Sequence, residues 1–343
     1  MPSLGPTAAM DFSPYEPRKR LRRLPAPRLW ISLFLALLLG TGVAAKTAAP
    51  ARAAEPGPEK PGQKASLHTT GPIITDTAIP QPLGTGTIFM PWFLAFTGGN
   101  FSPNWRRVSA GGDYTSLEGS FQIYYGVLPH TSVYVVVPYI HNWAARLNQP
   151  APTGATSANF GGLGDLSFTV KHLFFEEKPH FPAISGVFTT GFPTGHHLHL
   201  NPGNQGTDQL GSGAFTFTPG INLFKYAPPV LLYANFWYTM YTGAPAAAKR
   251  QYYPDRITVN LALEWPLITD RLVFLWELVS YYDAGRLIGP RANQAPEALI
   301  STLPALEFLP TKDWAFDVGV LIDLLGKNTS YNFTPTVSLF YNF

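Results

Sequence analysis

Between residues 75 and 343 apolar and polar side chains alternate with a period of two almost throughout, the spacing that puts every second residue on one face of a β-strand. In "RITVNLALEW" (256–265), Ile257, Val259, Leu261, Leu263 and Trp265 share one face, and Thr258, Asn260, Ala262 and Glu264 share the other. "WAFDVGVLIDL" (314–324) sets Trp314, Phe316, Val318, Val320, Ile322 and Leu324 against Asp317, Gly319 and Asp323. The same pattern predicts strands over 120–128, 131–140, 165–174, 184–192, 212–223, 230–241, 272–282 and 298–308, a less regular one over 87–96, and a last one over 332–343. Twelve two-faced strands predict an all-β fold. An even count closes as an up-and-down transmembrane antiparallel β-barrel.

The connections test this independently. After the first strand they alternate: long (97–119), short (129–130), long (141–164), short (175–182), long (193–211), short (225–229), long (242–255), short (268–270), long (284–296), short (310–313), and a moderate last one, "GKNTSY" (326–331). Short turns on one side and long loops on the other are the asymmetry of outer-membrane barrels, with both termini on the periplasmic side. Tyr and Trp residues, among them Trp92, Trp105, Trp143, Tyr238, Trp265, Tyr282, Trp314 and Tyr341, cluster near strand ends, where interfacial rings anchor a membrane protein. A soluble sandwich with large core aromatics would not need such regular loops.

The chain ends on "TPTVSLFYNF" (334–343). Phe333, Val337, Leu339, Tyr341 and Phe343 form the expected lipid-facing row of a closing strand, with Thr334, Thr336, Ser338 and Asn342 inward and Phe340 as an exception. The terminal row Leu339, Tyr341 and Phe343 is a candidate signal for the barrel assembly machinery.

Charge divides along the chain. The first 54 residues carry eight Lys or Arg against two acids; the remaining 289 carry 16 against 19, so the overall +3 comes from the amino terminus. That balance excludes a nucleic-acid surface on the barrel. "RKRLRRLPAPR" (18–28), "LWISLFLALLL" (29–39) and the small residues after them read as a signal peptide, 1–45, with cleavage between 45 and 54. Residues 46–74, rich in Pro and Ala, read as a disordered leader before a barrel at 75–343. The sequence has no Cys, which removes disulfides, thiolate metal sites and a Cys nucleophile.

Four motifs, "GPIITDTAIPQPLGTG" (71–86), "GGLGDLSFTVKHLFF" (161–175), "GFPTG" (191–195) and "LGSGAFTFTPGINLFK" (210–225), occur in an order that resembles the outer-membrane transporters named for the meta-pathway of phenol degradation. The resemblance implies a barrel in the outer membrane of a Gram-negative bacterium that takes up small hydrophobic or aromatic solutes. The Pro/Ala leader and "HHLHLNPGNQ" (196–205) depart from the family pattern.

Candidate chemistry lies inside the predicted lumen. Extending the alternation places Glu264, Glu277, Glu307, Asp317 and Asp323 on the wet face, with Lys171 on a distant strand. Acids on one wall would favour cations; alternatively they pair with one another, with Arg271 or with an inward-folded plug, and seal the barrel. Tyr233, Trp237 and Tyr241 share the inward face of one strand and form either an aromatic slide or simple filling. His196, His197 and His199 are weak metal candidates on a loop, and no metal or other cofactor is expected. Gly161, Gly162 and Gly164 lack the Lys and strand–loop–helix context of a phosphate site. No segment offers a recognisable nucleophile context, so a non-enzyme is expected. The reading is passive uptake of small apolar or aromatic solutes through a porin-like barrel in outer-membrane lipid. A non-conducting structural or adhesive barrel and a barrel-embedded hydrolase are the alternatives.

Overall fold

In the computed structural model the described residues are 69–148, 154–245 and 250–343. The proposed signal peptide lies outside them. The strands are β1 (Gly86–Phe101), β2 (Arg107–Val108), β3 (Asp113–Leu128), β4 (Thr131–Ala145), β5 (Ala158–Leu163), β6 (Leu166–Phe175), β7 (Ala183–Phe192), β8 (Thr216–Ala227), β9 (Val230–Tyr241), β10 (Arg256–Ile268), β11 (Leu272–Asp283), β12 (Ala298–Phe308), β13 (Trp314–Lys327) and β14 (Thr329–Asn342). Apart from the short β2 and the β4–β5–β6 junction, sequence neighbours pair antiparallel around the wall, and β14 pairs back onto β1. β2 only folds back onto the end of β1, and β5 and β6 follow one another along β4. The result is a closed barrel of twelve passes, as the periodicity predicts.

Closure uses the last residue. Gly86 donates its N–H to the carbonyl of Phe343 at 2.9 Å, and Phe343 donates back to Gly86 at 2.9 Å. Along β14, Phe333 and Val337 are exposed outward, whereas Thr334, Thr336, Ser338 and Phe340 are buried inward. Phe340 is therefore no exception to the alternation; it belongs to the inner row and stacks on Phe89, with ring centroids 4.0 Å apart. Its inward position is favourable because that part of the lumen is apolar.

The outside is built for hydrocarbon. Phe168, Val170, Phe188, Phe236, Leu306, Phe316, Val318, Phe333 and Val337 stand exposed on it, a continuous apolar exterior that water would not support and a bilayer would. At the turn end Tyr341 packs against Trp314 at 4.6 Å and against Phe343 at 6.2 Å, a local aromatic girdle.

Two features depart from expectation. Several strands run further toward the loop end than their alternation shows, β1 to Phe101, β3 from Asp113 and β4 to Ala145 among them. The last outer connection is also tighter than "GKNTSY" suggests: Asn328 alone joins β13 to β14, with φ of 53°. Asn tolerates that left-handed conformation, and its Nδ2 donates to the carbonyl of Pro296 at 2.8 Å.

The wall also changes partner at one place. β7 runs beside β6 as far as Leu166 opposite Phe192, whereas β5 pairs with β4. The 193–215 loop packs against β5, where the ring of His196 stacks on Phe160 at 5.3 Å.

Candidate functional site: a plugged lumen

The residues just before β1 fill the barrel. Residues 69–82 meet the β10–β12 side near the turn end, climb to mid-lumen, cross to the opposite wall and return to β3, where Leu83 bridges Gly126. We call this segment the plug.

Each step of its path is a backbone polar group meeting a wall side chain. Thr69 Oγ1 donates to Glu307 Oε2 at 2.9 Å, and Thr70 donates its N–H to Glu307 Oε1 at 2.9 Å and its hydroxyl to the same oxygen. Glu277 then accepts three consecutive N–H groups: Ile73 at 2.8 Å and Ile74 at 3.1 Å on Oε1, and Thr75 at 2.6 Å on Oε2. Asn235 treats Asp76 as a strand neighbour, accepting its N–H at 2.8 Å and donating to its carbonyl at 2.7 Å. The Asp76 carboxylate is held by Lys171 Nζ at 2.5 Å and Asn222 Nδ2 at 2.8 Å. An irregular segment has no ladder to satisfy its N–H groups, so buried wall carboxylates and amides must do so.

Lumen walls divide by chemistry. On one side Asn222, Asn235 and Asn260 stand directly opposite one another across β8, β9 and β10, a polar row. On the other, Ile73 of the plug sits in an apolar cluster with Phe89, Phe93, Val273, Leu275, Leu303 and Phe340. Periodicity alone could not find that cluster, since it requires apolar residues on the face that reads as wet.

The sequence-nominated residues fall as follows. Glu264, Glu277, Glu307, Asp317 and Asp323 are all buried on the inner face, as is Lys171. Asp323 is held within the wall by Ser301 Oγ at 2.6 Å and the Asn332 N–H at 2.8 Å. Tyr233 and Trp237 point inward but are tied by polar bonds, Tyr233 to Glu264 Oε2 and Trp237 Nε1 to Asn222 Oδ1, each at 2.8 Å. Tyr241 lies higher, its ring 5.5 Å from that of Tyr253. His196 Nδ1 lies 2.7 Å from the Asp208 carbonyl and His197 Nδ1 2.9 Å from that of Gly195, bonds that fix loop backbone. Among the described residues no three His, Cys, Asp or Glu side chains are grouped to hold a metal.

A buried charged cluster sits at the loop end. Arg256 Nε donates to Asp283 Oδ1 at 2.6 Å and its Nη2 to Glu297 Oε2 at 3.3 Å, with the guanidinium 3.9 Å from the centroid of the Tyr281 ring. Burial pushes the Glu297 carboxyl up to about 7 against the pull of Arg256, and the Asp283 charge adds to the rise.

Three of the four motifs meet at one knot. Asp165 accepts the Gly195 N–H on Oδ1 at 2.9 Å, and on Oδ2 the N–H and hydroxyl of Ser212, both at 2.8 Å. A Cβ on Gly211 would lie 2.5 Å from Asp165 Oδ1, and one on Gly195 2.9 Å from the Gly211 Cα, so both positions require glycine. The fourth motif is the plug.

No protein-family model matches the chain, and no curated protein matches it. Among solved structures, the COG4313 outer membrane channel from Pseudomonas putida F1 superposes with a TM-score of 0.64 at 12% identity, covering 78% of this chain and 98% of that one. The translocator domain of autotransporter NalP from Neisseria meningitidis (TM-score 0.44, 12% identity, 77% of this chain and 90% of that one) and the toluene transporter TbuX from Ralstonia pickettii (TM-score 0.39, 8% identity, 77% and 90%) are weaker matches, below the level that carries an argument. The fold is thus one shared with an outer membrane channel.

Proposed function

We propose that this protein is an outer-membrane channel of a Gram-negative bacterium for passive uptake of small apolar or aromatic solutes, held shut by its own plug. The observation that carries the reading is the apolar cluster inside the lumen, Phe89, Phe93, Val273, Leu275, Leu303 and Phe340 around Ile73. A pore for hydrophilic solutes has no use for such a surface, whereas an apolar solute gains by burying itself there. Occupation by Ile73 makes the plug a stand-in for the solute: what displaces it inherits the contacts. The likeness of the four motifs to the phenol-degradation transporters agrees with this solute class.

The test is uptake of radiolabelled naphthalene by cells with an intact outer membrane, comparing the protein, its Phe89→Ala/Phe340→Ala variant and an empty control. Uptake above control that falls in the variant is expected. Uptake by the wild type equal to the control would sink the reading.

The second reading, a barrel that does not conduct and serves a structural or adhesive role, is favoured by the number of bonds that hold the plug. The same assay separates the two.

A further inference from the structure

The apolar half of the lumen is bordered by three carboxylates, Glu264, Glu307 and Asp317, of which Glu307 is held by the plug through both oxygens. Glu307 stands directly opposite Asp317 across the β12–β13 ladder and opposite Val273 across β11–β12. Glu264 stands opposite Leu275 across β10–β11. Val273 and Leu275 belong to the apolar cluster, so the acids line its edge.

Like charges directly opposite on neighbouring strands repel, and a buried carboxylate without a counter-charge is costly. Yet Glu264 and Asp317 are 0% and 3% exposed, and none of the ion pairs among the described residues includes either. Glu264 Oε2 accepts from Tyr233 at 2.8 Å, the Thr69 hydroxyl of the plug also bonds this carboxyl, and Asp317 Oδ2 accepts from Ser338 Oγ at 2.5 Å. Glu264 Oε1 and Asp317 Oδ1 are buried with no hydrogen-bond partner. Two idle carboxylate oxygens beside an apolar wall ask for a positively charged donor attached to hydrocarbon.

We propose that this half of the lumen binds amphiphilic cations: primary amines whose ammonium group takes Glu264 Oε1 and Asp317 Oδ1 while the hydrocarbon body replaces Ile73 against Phe89, Phe93 and Phe340. The proposal rests on the channel reading above and narrows its solute class. An ammonium suits the site better than a metal ion, since it offers three separate donors to dispersed acceptors, and no metal-holding group is present among the described residues.

The experiment is calorimetric titration of the full mature protein in zwitterionic nanodiscs with dodecylamine and with dodecanol, which differ only in the head group. One charge-assisted bond predicts that the amine binds at least about tenfold more tightly than the alcohol. Glu264→Gln/Asp317→Asn should erase that ratio, while Glu264→Asp/Asp317→Glu, which keeps both charges, should retain a preference. Heat-modifiable gel mobility verifies that each variant is a folded barrel. Equal binding of the two compounds by the wild type, or an undiminished preference in the Gln/Asn variant, overturns the proposal alone. Failure of the wild type to bind either compound overturns the channel reading with it.

Discussion

Lys171 Nζ lies 2.5 Å from Asp76 Oδ1, with side chains 3% and 15% exposed, and this ion pair joins the plug to the wall in mid-lumen. Removing one partner of a buried pair leaves an uncompensated charge, at a cost of roughly 3–5 kcal/mol. Lys171→Met should therefore release the plug, seen as raised single-channel conductance. Lys171→Met/Asp76→Leu removes both charges and should conduct less than Lys171→Met. A single variant as silent as wild type would show that the pair does not hold the plug.

Glu277 gathers the N–H groups of three successive plug residues, Ile73, Ile74 and Thr75. Glu277→Gln keeps the shape but turns one acceptor oxygen into a donor facing other donors. Bonds to a charged group are worth roughly 1.5–3 kcal/mol each, so amide exchange of residues 73–75 should accelerate by about tenfold or more. Exchange mass spectrometry on the reconstituted protein reads this directly, and an unchanged rate would mean that the plug is held elsewhere.

At the seam, a Cβ on Gly86 would lie 2.5 Å from the Phe343 ring and 2.9 Å from the Tyr124 carbonyl. Gly86→Val should slow assembly, and so should deletion of Phe343, which removes both backbone bonds to Gly86. Pulse-chase monitoring of the heat-modifiable form measures it. Assembly at wild-type rate without Phe343 would refute its role as an assembly signal.

Asp165 is the common acceptor of the knot between the β5–β6 break and the 193–215 loop. Asp165→Ala should free that loop, giving new cleavage within 193–215 by protease added to intact cells. Asp165→Asn, which keeps one acceptor, should be intermediate. Resistance equal to wild type in the Ala variant would place the anchor elsewhere.

The Glu297 carboxyl, pushed up to about 7 by burial, gives the loop end a pH dependence of definite sign. Its folded value exceeds the unfolded one, so the folded state holds the proton more firmly. The associated stability is full below about pH 4.5, declines as pH rises to about 7, and is gone above that. The denaturation midpoint should fall over this window, and Glu297→Gln should flatten that fall. A midpoint that rises with pH in the wild type and not in the variant would reverse the assignment.

Strand number and order were legible because each pass has one face in lipid and one toward polar lumen, which writes a period of two into the sequence. Closure by Phe343 followed from the same rows. An inward-folded plug was one alternative for the lumen acids, but the residues that form it were not legible, since 69–74 read as part of a disordered leader: its partners Glu277, Asn235 and Lys171 lie 95 to 204 residues away, and its backbone bonds leave no local pattern. Phe340 looked like an error in the alternation for a related reason, since periodicity assumes a uniformly wet lumen. Tyr233 and Trp237 were placed on the correct face, but their polar tips decide their bonding, and side-chain partners cannot be read from spacing.

The plug leaves and returns at the same mouth. Thr69 meets Glu307, one residue from the turn end of β12, and Leu83 meets Gly126, two residues from that of β3. Mechanically it is an inserted hairpin rather than a threaded strand, so it can be withdrawn whole without any part of it crossing the wall. Tension applied to the chain ahead of Thr69 would load Glu307 first, then Glu277, then the Asp76–Lys171 pair, peeling the contacts in sequence. The handle for opening therefore lies at the turn end of the barrel.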